Sequence, residues 1–311
     1  ALAGPAPTAP RKTVVVLHSI PQDVPGLQEL SAAITDGLLK GSPTAVDVYG
    51  EYTGLDRFSG PAYETSLLSL YNEKYGRRKV DLLILVGPAT LDFVMAHQFL
   101  PQVPVVTCYI AQRRVDAARA RRPQLTGVLP ANNAPKTIDL MLSLYPQTRR
   151  ILVVLGASEY ERDQAKWGQA IFSPFAGRLE FVYLNDLSLE QIEARAAQLQ
   201  PDELMLYGSL LRDATGRDFS TNDPLRRISA ASRRPVFGVV TEDLGDGILG
   251  GVLLSMELSG RISADLGLRV LKGEAVSPLD YASFLLVGVL LSAAALWTVS
   301  RQLQKAALKG A

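Results

Sequence analysis

The sequence predicts an α/β fold of two lobes, each a parallel sheet covered by helices, followed by one C-terminal transmembrane helix. Three observations predict it. Short β-branched runs alternate with helical stretches, the rhythm restarts near the middle of the chain, and residues 281–299 carry no charge. Continuous apolar runs joined by helical crossovers imply strands buried on both faces, hence parallel sheets with right-handed connections.

Ala1 to Pro10 is small, Pro-rich and uncharged, the composition of a linker or of the stretch left when a signal peptide is removed. Residues 1–12 are therefore assigned to a linker. Thr13 to Leu17 reads as a buried strand, followed by a helix over Leu27 to Leu39, a strand over Ala45 to Tyr49 and a helix over Ala62 to Tyr75. A strand over Asp81 to Val86, a helix over Ala89 to His97 and a strand over Val103 to Cys108 complete the first lobe. Thr126 to Pro130 reads as the joint.

The second lobe repeats the pattern. Helices are expected over Ala134 to Leu144, Glu161 to Phe172, Leu189 to Leu199 and Pro224 to Ser232. Strands are expected over Arg150 to Leu155, Leu179 to Tyr183, Glu203 to Tyr207, Pro235 to Val240 and Gly251 to Ser255. The helix Ser259 to Leu271 follows a finished sheet, so it should fold back onto the first lobe. The division is then residues 13–127 and 259–272 for the N-lobe, 128–258 for the C-lobe, 280–300 for the transmembrane helix and 301–311 for a cytoplasmic tail. Tyr281 to Val299 is long enough as a helix to cross the hydrocarbon layer, Tyr281 and Trp297 are placed as interfacial aromatics, and Arg301, Lys305 and Lys309 mark the cytoplasmic end.

Composition narrows the function. Thirty-two Lys and Arg against 31 Asp and Glu leave a net charge of +1, with no global attraction to nucleic acid. A single cysteine, Cys108, forbids an internal disulfide and reads as a small buried hydrophobe; with only His18 and His97 beside it, neither a metal centre nor a cofactor is expected. No Gly-x-Gly-x-x-Gly follows a strand, and no phosphate loop, nucleophile elbow or His-Glu-x-x-His motif is present, so the chain is read as a non-enzyme.

Open parallel sheets bind ligands where loops and helix N-termini converge beyond the carboxyl ends of their strands. Those ends nominate His18, Ser19, Gly87, Pro88, Thr90 and Tyr109 in the first lobe. In the second they nominate Ser158, Tyr160, Tyr207, Ser209, Arg212, Thr241 and Glu242. Glycines, hydroxyls and tyrosines suit a small polar ligand held by amides and aromatic faces; the same residues also serve as turns, helix caps and core, and Arg212 as an ion pair. Glu242, Asp243 and Asp246, set among glycines, read as a solvated loop. Arg113, Arg114, Arg119, Arg121 and Arg122 form a cationic stretch, either a solvated face or a contact for anionic headgroups or an acidic partner.

The order of Val14 to Ser19, Ala62-Tyr63 to Asp81, Leu85 to Ala89, Pro104 to Val106, Arg178 to Phe181, Arg212-Asp213 with Gly216, Arg217 and Phe219, and Gly245 to Gly251 resembles the ABC-transporter substrate-binding-protein-like family. It is most similar to the extracytoplasmic sensor module of bacterial membrane histidine kinases. The resemblance, over residues 13–274, implies a type I periplasmic-binding-protein fold of two Rossmann-like lobes hinged about a solute cleft, without catalysis. It departs from that pattern after Glu274, where the chain is expected to run almost directly into the membrane span without a further strand. The expectation is a solute-binding or signalling protein in the inner membrane of a bacterium, its soluble part in the periplasm. Its partners would be a small-molecule ligand, membrane lipid through residues 281–299 and a membrane protein. The alternative is an accessory subunit of a membrane complex that keeps the fold for docking.

Overall fold

A computed structural model describes residues 11–275 apart from 23, 25 and 130–132, together with the backbone of Leu279–Asp280. The expected transmembrane helix lies outside the described residues; among those described, no helix is long and apolar enough to cross a membrane. The chain divides into two compact units, unit 1 with residues 11–22, 26–129 and 257–280 and unit 2 with residues 133–256.

Unit 1 contains β1 (Lys12–His18), α1 (Leu27–Gly41), β2 (Val46–Tyr52), α2 (Pro61–Tyr75), β3 (Leu82–Val86), α3 (Pro88–Ala96), β4 (Val105–Cys108), α4 (Gln112–Arg119) and β5 (Leu125–Leu129). All pairings are parallel, in the order β10-β5-β4-β3-β1-β2, where β10 is Leu279–Asp280. The inner strands are buried on both faces, as their apolar runs require: all five residues of Leu82–Val86 and of Leu125–Leu129 are buried, whereas the edge strand β2 is partly exposed. Tyr71, Tyr75, Phe93 and Phe99 pack edge-on or tilted in a core with Leu83, Leu85 and Val105.

Two expectations are corrected here. Thr126 to Leu129, read as part of the joint, forms most of β5, paired with β4 in register from Val105↔Leu125 to Cys108↔Val128, and the division into units falls just after it. A further strand does follow Glu274: Leu279 pairs with Val128 and Asp280 with Leu129. The arginine stretch is also not uniformly solvated. Arg122 is 6% exposed, and its guanidinium donates to the carbonyls of Phe99, Leu100 and Val103, bracing the turn before β4.

Unit 2 contains α5 (Ala134–Leu144), β6 (Arg150–Val154), α6 (Glu159–Ile171), β7 (Glu180–Tyr183), α7 (Leu189–Ala196), β8 (Glu203–Tyr207), α8 (Asp223–Ala231) and β9 (Val236–Phe237). Its parallel sheet runs β7-β6-β8-β9, with one apolar layer on each face. The expected strand Gly251 to Ser255 is reduced to one bridge, Val240 to Leu254, with a separate bridge of Val236 to Ile248 before Gly250, whose φ of +152 interrupts the ladder. The last helix, α9 (Met256–Leu271), returns to unit 1 and packs on α1: a Cβ on Gly260 would stand 2.4 Å from the Leu30 carbonyl oxygen, and one on Gly37 2.6 Å from Ala264 Cβ.

Candidate functional site

Strand register brings the first-lobe candidates together at the carboxyl end of the sheet. His18 pairs with Val86 and Val86 with Cys108, so Ser19, Gly87 and Tyr109 emerge side by side. The Ser19 amide donates to Val86 O (3.0 Å) and the Gly87 amide to Cys108 O (3.1 Å). Gly87 has φ +89, and a Cβ there would lie 2.2 Å from Ser19 Oγ, so both backbone and space require glycine. Pro88 opens α3, where a missing N–H costs nothing, and the Thr90 hydroxyl returns to Gly87 O (2.7 Å). Tyr109 is half-buried at φ +64.

His18 is 2% exposed, and its ring stacks on Tyr52 at 4.7 Å and 15°. Nε2 lies 3.4 Å from Ser31 Oγ, and Nδ1 has no hydrogen-bond partner among the described residues. Burial pushes the imidazole pKa down to about 4, so the ring is neutral at physiological pH. With no carboxylate on Nδ1 to orient the ring, the Ser31–His18 pair lacks the third member of a nucleophilic relay.

In unit 2 a residue absent from the expected set organises the strand ends. Glu161 is fully buried in the first turn of α6, and its carboxylate accepts from the Ser158 amide (3.2 Å) and hydroxyl (2.7 Å), the Ser209 hydroxyl (2.9 Å) and the amides of Leu211 (2.7 Å) and Arg212 (3.3 Å). Ser158 and Glu161 form a capping box, a Ser-x-x-Glu signal readable in the sequence. The loops after β6 and β8 are thereby tied together, and Ser158 and Ser209 are engaged within the protein. Gly156 leaves room for the carboxylate: a Cβ there would stand 2.3 Å from Glu161 Oε2.

Tyr207 is 4% exposed within the core, and burial raises its hydroxyl pKa. Tyr160 is half-buried on the first turn of α6. Arg212 pairs with Asp218 at 2.7 Å, the ion-pair reading. Thr241 donates its amide to Leu254 O (3.0 Å), and Glu242 Oε1 accepts the Met256 amide (3.0 Å). The acidic loop is not simply solvated, because Asp243 is 4% exposed; burial, with Glu242 and Asp246 nearby, pushes its pKa up to about 8. Among the described residues no group of three His, Cys, Asp or Glu is placed to hold a metal ion.

Gly245-Asp246-Gly247-Ile248-Leu249-Gly250 has the spacing of a dinucleotide-binding turn, but no helix opens on it, and a Cβ on Gly247 would meet Ser229 at 2.4 Å. Sequence reasoning also missed Tyr52 and Thr53. Both lie past Tyr49, where β2 is read as ending; Thr53 instead caps the β1 end, donating amide (2.8 Å) and hydroxyl (3.0 Å) to His18 O.

No family model and no curated protein matches the chain. Solved structures do. A conserved domain protein from Vibrio cholerae is similar with a TM-score of 0.64 at 14% identity, over 92% of this chain and 97% of that one. An ABC domain from Streptococcus pneumonia, in complex with L-Trp, gives 0.57 at 15% identity over 92% and 98%. An ABC-transporter solute-binding protein from Bacillus halodurans, with bound myo-inositol, gives 0.58 at 11% identity over 88% and 93%. With the parallel sheets of its two units, these likenesses show that the chain has the type I periplasmic-binding-protein fold seen in ABC-transporter solute-binding proteins.

Proposed function

We propose that the chain is a non-catalytic, membrane-anchored receptor that binds a small solute through loops at the carboxyl ends of its parallel strands. The observation that carries this reading is the gathering of His18, Ser19, Gly87, Thr90 and Tyr109 at the carboxyl ends of three adjacent strands, β1, β3 and β4. Two structural neighbours, solved with L-Trp and with myo-inositol, support a solute as the ligand. The uncharged stretch 281–299, followed by Arg301, Lys305 and Lys309, supports a single anchor in a bacterial inner membrane with the folded units in the periplasm. The same arrangement favours a sensing role beside a membrane protein partner.

Native mass spectrometry of the detergent-extracted full chain tests the reading. A small-molecule adduct lost on unfolding is the expected result. A stoichiometric partner chain with no adduct would replace the receptor by a docking subunit. Alkaline carbonate extraction tests the anchor: the full chain should stay with the membrane and a chain ending at Asp280 should be released.

A further inference from the structure

We propose that the amino-terminal end of the unit 2 sheet is a docking surface for a carboxylate-rich segment of a partner protein. The inference goes beyond the solute-binding reading and does not rest on it. The registers Arg150↔Glu180, Arg150↔Glu203 and Met205↔Val236 set the loops that enter β7, β6, β8 and β9 side by side. Three of these loops bring arginine: Arg178 before β7, Arg149 before β6, and Arg233 with Arg234 before β9. Arg149 sits in the middle, its amide donating to Asp202 O (2.8 Å) and its carbonyl accepting from the Glu180 amide (2.9 Å). With about 4.8 Å between neighbouring strands, the arginine-bearing loops span about 14 Å, the reach of about five extended residues.

Charge at this end is sorted rather than balanced. Arg150 is engaged by Glu180 and Glu203, and Arg195 by Glu203, so these two acids are already taken. Arg149, Arg178 and Arg233 are exposed and form no ion pair among the described residues. Arg234, half-buried and likewise without an acid, lies over the Tyr145 ring at 5.1 Å. Against these four cations stands one unengaged acid, Asp202, a surplus of three charges on a chain whose whole net charge is +1. Leu144 is 37% exposed beside Tyr145, and no lysine lies in residues 144–150, 172–180, 196–203 or 231–236. Arginine beside an aromatic ring, with lysine absent, is the make-up of a protein contact, where guanidinium forks meet carboxylates two-pronged and apolar side chains are covered. A lipid surface is served equally by lysine and needs no apolar neighbours. The surface lies at the opposite end of the strands from the loops that Glu161 ties together, so a partner here leaves those loops open.

Fluorescence anisotropy of a fluorescein-labelled peptide, (Glu-Glu-Leu)4, with the full chain in dodecyl maltoside tests this. The peptide should bind, and its counterpart with Gln for every Glu should not. The triple replacement Arg149→Gln, Arg178→Gln, Arg233→Gln should weaken binding about tenfold or more. The same charge change at three exposed arginines of unit 1, Arg77→Gln, Arg113→Gln and Arg121→Gln, should hold it within about threefold. All six side chains are exposed and none forms an ion pair among the described residues, so both triples should melt as the wild type does. Should the unit 2 triple melt early, its three single replacements, each weakening binding about twofold, take its place. Equal losses in the two triples, binding of the Gln peptide, or no binding of either peptide overturns the docking surface. Binding of short-chain dihexanoyl phosphatidylglycerol in place of the peptide, lost in the unit 2 triple, also overturns it and assigns these arginines to anionic lipid. Solute binding stands or falls separately, on the native adduct.

Discussion

Glu161 and Asp243 are two buried carboxyl groups with opposite surroundings. Glu161 is met by five donors from two loops, those after β6 and β8, so its removal strands several buried N–H and O–H groups at once. Glu161→Ala should cost about 3–5 kcal/mol, read as a lower urea midpoint at unchanged slope. Asp243 has Oδ2 without a hydrogen-bond partner among the described residues, and its folded pKa of about 8 stands above the ordinary 3.8. The folded state thus holds this proton more tightly than the unfolded chain, so stability falls as pH rises from about 4 to about 8. Asp243→Asn should remove that part of the pH dependence and stabilise the protein at pH 8 while changing little near pH 4, measured by urea unfolding across the range. The capping box of Ser158 and Glu161 was legible in the sequence, but the tie from Glu161 to the loop after β8 and the burial of Asp243 were not. A glutamate on an apparent surface turn and an aspartate among glycines look solvated until the neighbouring loops close over them.

Helix α9 meets α1 through small residues, with Gly37 against Ala264 and Gly260 against the Leu30 carbonyl. Gly260→Ala gains about 1 kcal/mol of helix propensity but drives a methyl into main chain, so a net loss of about 1–2 kcal/mol is expected in the same assay. The elements themselves were readable because burial on both faces writes unbroken apolar runs: Leu82–Val86 and Glu203–Tyr207 sit where periodicity places them. Strands lacking that signature were not. Leu125–Leu129 contains Thr126 and Gly127 and resembles a connector, yet Gly127 is needed there because a Cβ would stand 1.8 Å from Thr107 Oγ1. Much of the candidate site was legible as strand ends, whereas Tyr52 was lost to a strand read three residues short.

Unit 1 is discontinuous in sequence, since α9 joins it only after all of unit 2 has passed. A chain ending at Met256 leaves Leu30, Ile34 and Leu38 without part of their cover and should lose cooperative melting of unit 1. Residues 133–256, an uninterrupted unit with its own two apolar layers, should melt cooperatively alone, as followed by circular dichroism. Strand β10 adds one more link. Leu129, the last residue of β5 before the passage to unit 2, is the register partner of Asp280, after which the chain proceeds to its apolar tail. Outgoing thread and tail are thus laced together by two register pairs of a parallel ladder, the two strands lying about 4.8 Å apart. Tension on either is borne first by that short seam, which makes it the mechanical fuse of the molecule.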